Sequence, residues 1–140
     1  MNPILLAGAF GFAKGLLGGV GSRLSSKARN YASFGAPVVE EMMYRGLPFS
    51  LFGAMLPSGF TAVGFAADHV ASEGLEGSSA LARFADVFAG GILYESAYKR
   101  FGLVGAIAAH AAHNIAVGWG QRSFPGHTVR RKRRVRARRR

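Results

Sequence analysis

Five apolar runs follow one another along the chain, separated by short polar connectors. The first, Met1–Gly21, is apolar apart from Asn2 and Lys14. It lacks a basic leading segment and an evident small-residue cleavage site, so it reads as a membrane span rather than a signal peptide. Its Gly-rich, Lys-bearing pattern leaves an interfacial helix as the alternative. A basic connector, Ser22–Tyr31, carries Arg23, Lys27 and Arg29. The second run, Phe34–Pro57, is entered at Pro37 and is expected to be interrupted at Pro48. Pro57-Ser58-Gly59 reads as a tight turn. Phe60–Ala71 reads as a helix of about 18 Å, short for a hydrocarbon layer of about 30 Å, so it starts or ends within the interface. Ser72–Ser79 is a polar loop, and Ala80–Tyr98 is a further span whose Gly90-Gly91 pair permits close helix approach. After Lys99-Arg100, the last span is Phe101–Gly120. The pattern predicts an all-α polytopic membrane helix bundle of about five transmembrane or membrane-embedded helices, formed by residues 1–124.

The second run is hard to explain by packing alone, because Glu40, Glu41 and Arg45 are set into its first half. Each such charge at the centre of a lipid-facing helix costs about 2.5–3.5 kcal/mol, whereas each apolar residue returns about 0.3–0.6 kcal/mol. Val38, Val39, Leu47, Phe49, Leu51, Phe52 and Leu56 therefore fall short of offsetting the charges by several kcal/mol. The charges need partners inside a bundle or a watered cavity. Glu41 and Arg45 are spaced four apart, as are Glu40 and Tyr44, so each pair can meet on a helix surface. Arg45 would then neutralise Glu41 and leave Glu40 for another task. A salt bridge that only fixes packing is the competing reading.

Composition refines the picture in two places. Of 140 residues, 49% are hydrophobic and 20 are Gly, which suits close helix contacts in a membrane. Mean hydropathy is only +0.17, because a polar tail dilutes it. Nine of the 18 Lys and Arg lie in Arg130–Arg140, so the net charge of +11 belongs almost wholly to that tail. Residues 125–140 are too charged to pack and read as a disordered cytoplasmic tail. Anionic lipid headgroups are its expected partner, at about 1 kcal/mol per basic residue. Nucleic acid is the disfavoured alternative, since no aromatic residue is interleaved to stack on bases. Positive-inside reasoning places both the connector and the tail in the cytoplasm of a multi-pass protein of the inner or plasma membrane. Four crossings between them agree with that, and they put the amino terminus outside; Lys99-Arg100 falls on the other side. The absence of Cys excludes disulfides and thiolate metal sites.

Three polar groups stand in three separate apolar runs: Glu40-Glu41-Met42-Met43-Tyr44-Arg45, Phe65-Ala66-Ala67-Asp68-His69, and His110-Ala111-Ala112-His113-Asn114. His110 and Asn114 share a helix face by their spacing. A lone His on an apolar helix is more often a hydrogen-bonded core residue than a catalyst. Three such clusters in one small bundle are each costly unless they meet. A carboxylate beside an imidazole can hold and deprotonate water, and an imidazole with an amide can donate to an oxyanion in a dry site. That inventory suits amide hydrolysis. The same groups suit zinc, for which His and carboxylate are ordinary ligands.

Glu-Glu-x-x-x-Arg, Phe-x-x-x-His and His-x-x-x-Asn, in this order on separate spans, resemble the CPBP (ABI) family of intramembrane proteases, which includes the CAAX prenyl endopeptidases. The stretch Gly90–Glu95, then Gly102-Leu103 and on to His110 and Asn114, also resembles the family's last two core helices. The resemblance covers about residues 34–119. It implies a glutamate-dependent endopeptidase acting on a membrane protein or peptide substrate. Glu40 would be the general base, His69 would help activate the water, and His110 and Asn114 would stabilise the oxyanion. Glu41 and Arg45 would support the site, and Phe65 would pack beneath His69. No cofactor is favoured; in a zinc-dependent version Glu40, His69 and His110 would be the ligands. Prenyl-substrate cleavage belongs to part of the family and is not implied here. Family members usually carry further spans, so this short chain is expected to be a minimal enzyme, an oligomer or a degenerate remnant. The non-enzymatic rival is a small binding or regulatory membrane subunit that keeps these residues for helix packing. His113 and Asp68 fall outside the motifs and read as packing and supporting residues, and His127 as a solvated loop residue.

Overall fold

A computed structural model describes residues 1–16 and 31–123, and every element among them is helical. Residues 22–30 of the basic connector and the Arg-rich tail with His127 lie outside the described residues. Helix α1 spans Pro3–Leu16. Pro sits in its first turn, where a missing N–H leaves no bond unmade, and the Asn2 side-chain oxygen accepts the Ile4 N–H at 2.9 Å.

The charged run folds as one helical path from Tyr31 to Phe52. Two wide π turns, Tyr31–Gly35 and Met42–Gly46, alternate with α2 (Ala36–Glu41) and α3 (Leu47–Phe52). Pro48 does not interrupt the path, contrary to the sequence expectation. The turn before it widens so that the Leu47 N–H bonds the Met42 carbonyl. Pro48 then falls in the first turn of α3, where its missing N–H is tolerated. The extra residue also keeps an apolar stripe in register. Phe34, Val38 and Met42 step by four, the stripe steps by five across the π turn to Leu47, and it steps by four again to Leu51 and Met55; all six are exposed.

A short 3-10 turn, Gly53–Met55, and the expected turn at Pro57–Gly59 lead to α4, Phe60–Ser72. Gly59, at φ 84°, adopts the left-handed conformation there. Glu95, from the following helical run, receives the start of α4. Its carboxylate accepts the Gly59 N–H at 3.0 Å and the Thr61 hydroxyl at 2.8 Å, satisfying donors that the first turn leaves over.

The last run, Gly77–Ser123, is two helices joined at Gly102, whose φ of 70° and ψ of −165° are accessible to glycine almost alone. We label them α5 (77–101) and α6 (103–123). In one straight helix Tyr94 and His110 would lie about 24 Å apart, yet their rings stack with centroids 4.4 Å apart. The chain therefore reverses at Gly102, whereas the sequence expected the break at Lys99-Arg100 and the last span to begin at Phe101. Helix α1 confirms the hairpin by touching both arms. Lys14 pairs with Asp86 of α5 at 2.6 Å, while Gly15 packs on Val117 and Gly120 of α6. A Cβ added at Gly11 would run into the His113 carbonyl, so Gly11-x-x-x-Gly15 lets the two backbones touch.

Contacts fix the direction of each element. Met1 lies by Arg100 and Lys14 by Asp86, so α1 runs towards the end of the bundle that holds Asp86. The path from Tyr31 runs back and ends with Ser58 beside Lys99, α4 returns to Glu73 beside Arg83, and α5 and α6 make one further pass each way. The five helical stretches among the described residues thus alternate up and down.

Burial departs from that of a water-soluble domain at its largest side chains. The largest wholly buried side chains are Arg45, Glu41 and Pro37, whereas Leu5, Leu51, Phe52, Met55 and Val104 are exposed. Among the described residues, the run Gly77–Gly120, which holds α5 and α6, is the one long and apolar enough to cross a membrane, and only 28% of its most apolar window is buried inside the protein. A soluble core helix would show the opposite. Large apolar side chains outside and a wholly buried Glu41–Arg45 pair inside suit lipid as the surrounding solvent.

Candidate active site

Three elements bring the polar groups together at mid-bundle. Glu41 ends α2, Arg45 sits in the π turn that follows, and His110 lies on α6. The Arg45 Nη1–H donates to Glu41 Oε1 at 3.0 Å, the local pair that the spacing predicted, and both side chains are wholly buried. The same carboxylate oxygen lies 2.8 Å from His110 Nδ1. Arg45 also donates through Nη2 to the Gly91 carbonyl at 3.0 Å. A Cβ on Gly91 would sit 2.9 Å from that of Ala62, so glycine is required for this approach. A buried charge is tolerable only when paired and hydrogen-bonded, and here a carboxylate, a backbone carbonyl and two aromatic faces receive the guanidinium. Its carbon lies 4.9 Å from the Phe65 ring centre and 5.6 Å from that of Tyr94.

Glu40 has a different environment. Its side chain is 29% exposed, against 0% for Glu41, and its Oε2 lies 3.6 Å from His110 Nε2. His110 therefore stands between two glutamates, one locked and one accessible. The Glu41 carboxyl accepts the Arg45 Nη1–H and lies against the ring nitrogen of His110.

His69 is half-buried near the end of α4. Its Nδ1 lies 2.9 Å from the Phe65 carbonyl, an acceptor, so that nitrogen is the donor and Nε2 of the neutral ring is free to accept. Phe65 links the two imidazoles, its ring centre lying 4.4 Å from that of His69 and 5.6 Å from that of His110. It packs beside both rings rather than beneath His69 alone. Asn114 is half-buried one helical turn beyond His110. Asp68 is on the exposed side of α4, within reach of the Tyr44 phenol. His113 is buried on the same helix, its ring centre 5.4 Å from that of Phe10 on α1 and 6.0 Å from that of Tyr94.

Sequence reasoning missed three participants. Tyr94 stacks on His110 at an interplanar angle of 12°, Gly91 lends its carbonyl to Arg45, and Glu95 organises the start of α4. Their common signal was the stretch Gly90–Glu95, whose role rests on pairings between distant segments. Among the described residues no three His, Asp or Glu side chains gather within reach of one metal ion.

A helical bundle with its apolar surface outward and a carboxylate–guanidinium–imidazole cluster at its centre is a membrane-embedded protein built around polar chemistry. The chain belongs to the type II CAAX prenyl endopeptidase Rce1-like family, whose profile matches residues 30–116, well over half of its length. The match takes in the Glu40–Arg45 segment, α4, α5 and the part of α6 with His110 and Asn114. Membership supports a protease role, in line with the resemblance read from the motifs. No curated protein and no solved structure matches the chain.

Proposed function

We propose that the chain is an intramembrane endopeptidase that hydrolyses peptide bonds of a membrane protein or peptide with a water activated by Glu40 and His69. The difference between the two adjacent glutamates carries this reading. Glu41 is sealed in and bonded to two partners, so it holds the site together, while Glu40 keeps access to the exterior and faces an imidazole. Glu40 is thereby suited to take a proton from water, and the His69 Nε2 is suited to accept the water's other hydrogen. Asn114 is suited to donate its amide N–H to the tetrahedral oxyanion.

We further propose that all five helical stretches lie in the membrane, with the basic connector and the basic tail on the cytoplasmic side. The alternation of directions supports this, as does the close approach of Gly15 to Gly120. Chain leaving α1 and chain leaving α6 depart from the same end of the bundle, while Lys99 and Arg100 occupy the other.

The reading predicts a metal-free reaction. Purified protein incubated with a library of transmembrane peptides should cleave some of them, retain that activity after exhaustive chelation, and contain substoichiometric zinc. Activity lost to chelator and restored by zinc would overturn the metal-free mechanism and make Glu40, His69 and His110 the expected ligands.

A further inference from the structure

Helix α5 supplies neither Glu40 nor His69, yet it holds the segments that carry both. The Glu40 segment is tied to it where Arg45, paired with Glu41, donates to the Gly91 carbonyl at 3.0 Å. Helix α4, which carries His69, is tied to it at both ends. At the start, the Glu95 carboxylate accepts the Thr61 hydroxyl at 2.8 Å. At the far end, Arg83 donates through Nε to both Glu73 carboxylate oxygens, at 2.9 and 3.1 Å, and through Nη2 to one of them. Thr61 and Glu73 are 12 residues apart, as are Arg83 and Glu95, which is about 18 Å along each helix. The two ties therefore fix α4 lengthwise against α5.

His69 depends on the second tie. It lies in the last turn of α4, where carbonyls run out of partners within the helix and ends fray. The Glu73 N–H and the Ser72 hydroxyl both donate to the His69 carbonyl at 3.1 Å, so Glu73 closes the helix with its backbone and anchors it with its side chain. Behind Glu73 the network continues. Arg83 Nη1 reaches Asp86 at 3.0 Å, and Lys14 of α1 reaches the same Asp86 oxygen at 2.6 Å. A single partly exposed ion pair contributes little, but forked Arg–carboxylate geometry and networks are the exceptions. These four side chains are 24–40% exposed, so salt screens them, whereas the Glu41–Arg45 pair is sealed.

From this arrangement we infer that Glu73, Arg83, Asp86 and Lys14 are positioning residues that hold His69 in place opposite Glu40 and make the catalytic rate sensitive to ionic strength. The inference rests on the protease reading above. With the network broken, the last turn of α4 loosens and His69 leaves the water it shares with Glu40. A misplacement of about 1 Å costs up to about 10²-fold in rate.

The test compares wild type, Glu73→Gln, Lys14→Gln and the control Glu76→Gln, which removes the same charge from the same loop outside the network. All are assayed in liposomes on one transmembrane peptide that the wild type cleaves, from about 0.1 to about 1 M NaCl, over which the screening length falls from about 10 to about 3 Å. We expect wild-type kcat to fall by about 10–10²-fold across the series with KM unchanged. Glu73→Gln should start at the low rate and ignore salt, Lys14→Gln should lie between, and Glu76→Gln should follow wild type, all with melting temperatures close to wild type. A Glu73→Gln variant that cleaves like wild type, or whose rate falls only in step with its melting temperature, would overturn the inference. A second readout needs no turnover: ring-labelled histidine NMR in lipid nanodiscs, with His69 identified by its absence in His69→Asn. Wild type and Glu76→Gln should give one sharp His69 resonance at low salt, and Glu73→Gln a broadened or split one. An unchanged His69 resonance in Glu73→Gln would overturn the inference even in an active protease. A wild type that cleaves nothing would reject the protease reading, and the NMR comparison would still decide whether the network places His69.

Discussion

Arg45 and Glu41 answer the question that the sequence raises most sharply, namely how three charges can sit in an apolar run. Two of them cancel locally, at 3.0 Å, and the third keeps an exposed edge. The four-residue spacing made the Glu41–Arg45 pair legible. The His110 and Gly91 partners were not, because they come from segments more than 40 residues away, and spacing carries no information about such pairings. Truncating Arg45 should therefore hurt folding first. Arg45→Ala leaves Glu41 as a buried charge facing only His110, and should lose about 3–5 kcal/mol of stability. Accumulation in the membrane and thermal stability in detergent would both fall, along with activity. Asn114→Ala is expected to behave differently. It should fold about normally and slow peptide cleavage by about 10²–10³-fold, the worth of one oxyanion donor. Equal stability losses in both variants, with no separate effect on rate, would favour a packing role for Asn114.

Element by element, the apolar pattern located the helices well and their ends less well. The turn at Pro57–Gly59, the loop after Ser72 and the break between the last two helices all fall where polar or Gly and Pro residues signal them. Pro48 misled because a proline's effect depends on the turn before it. A π turn absorbs the missing hydrogen bond and leaves the helix running. The sequence showed α1 to be rich in Gly but not what the Gly face touches. Gly11 and Gly15 prove to be the contact with α6, directly behind His113 and Val117. Gly11→Ala should accordingly lower stability by about 1–3 kcal/mol, an overpacking cost. Gly64→Ala, on the open side of α4 where an added Cβ meets nothing, should be neutral or slightly stabilising. Thermal unfolding of the two variants in the same detergent checks the pairing of α1 with α6; similar melting temperatures would argue against it.

For the whole molecule, the proposed orientation can be tested directly. A reporter fused after Arg140 should read cytoplasmic, and one placed before Met1 should read external, because α1 and α6 run in the same direction and both basic segments follow their ends. A tail detected outside would contradict both the positive-inside argument and the proposed five crossings. The family was legible in three short motifs, and the buried cluster shows why two of them belong together. Glu41 and Arg45 need His110 and the Gly91 carbonyl, just as those groups need a charge to bind. The central claim is that Glu40 is the base of an intramembrane protease, and a single comparison tests it most directly. Wild type and Glu40→Gln, matched for accumulation and melting temperature, are assayed in liposomes on one transmembrane peptide that the wild type cleaves. The account predicts that the glutamine variant, which keeps shape and hydrogen-bonding capacity, folds normally and cleaves about 10²–10⁴-fold more slowly. A variant that cleaves at the wild-type rate, or one whose loss of cleavage is matched by loss of folded protein, would contradict it.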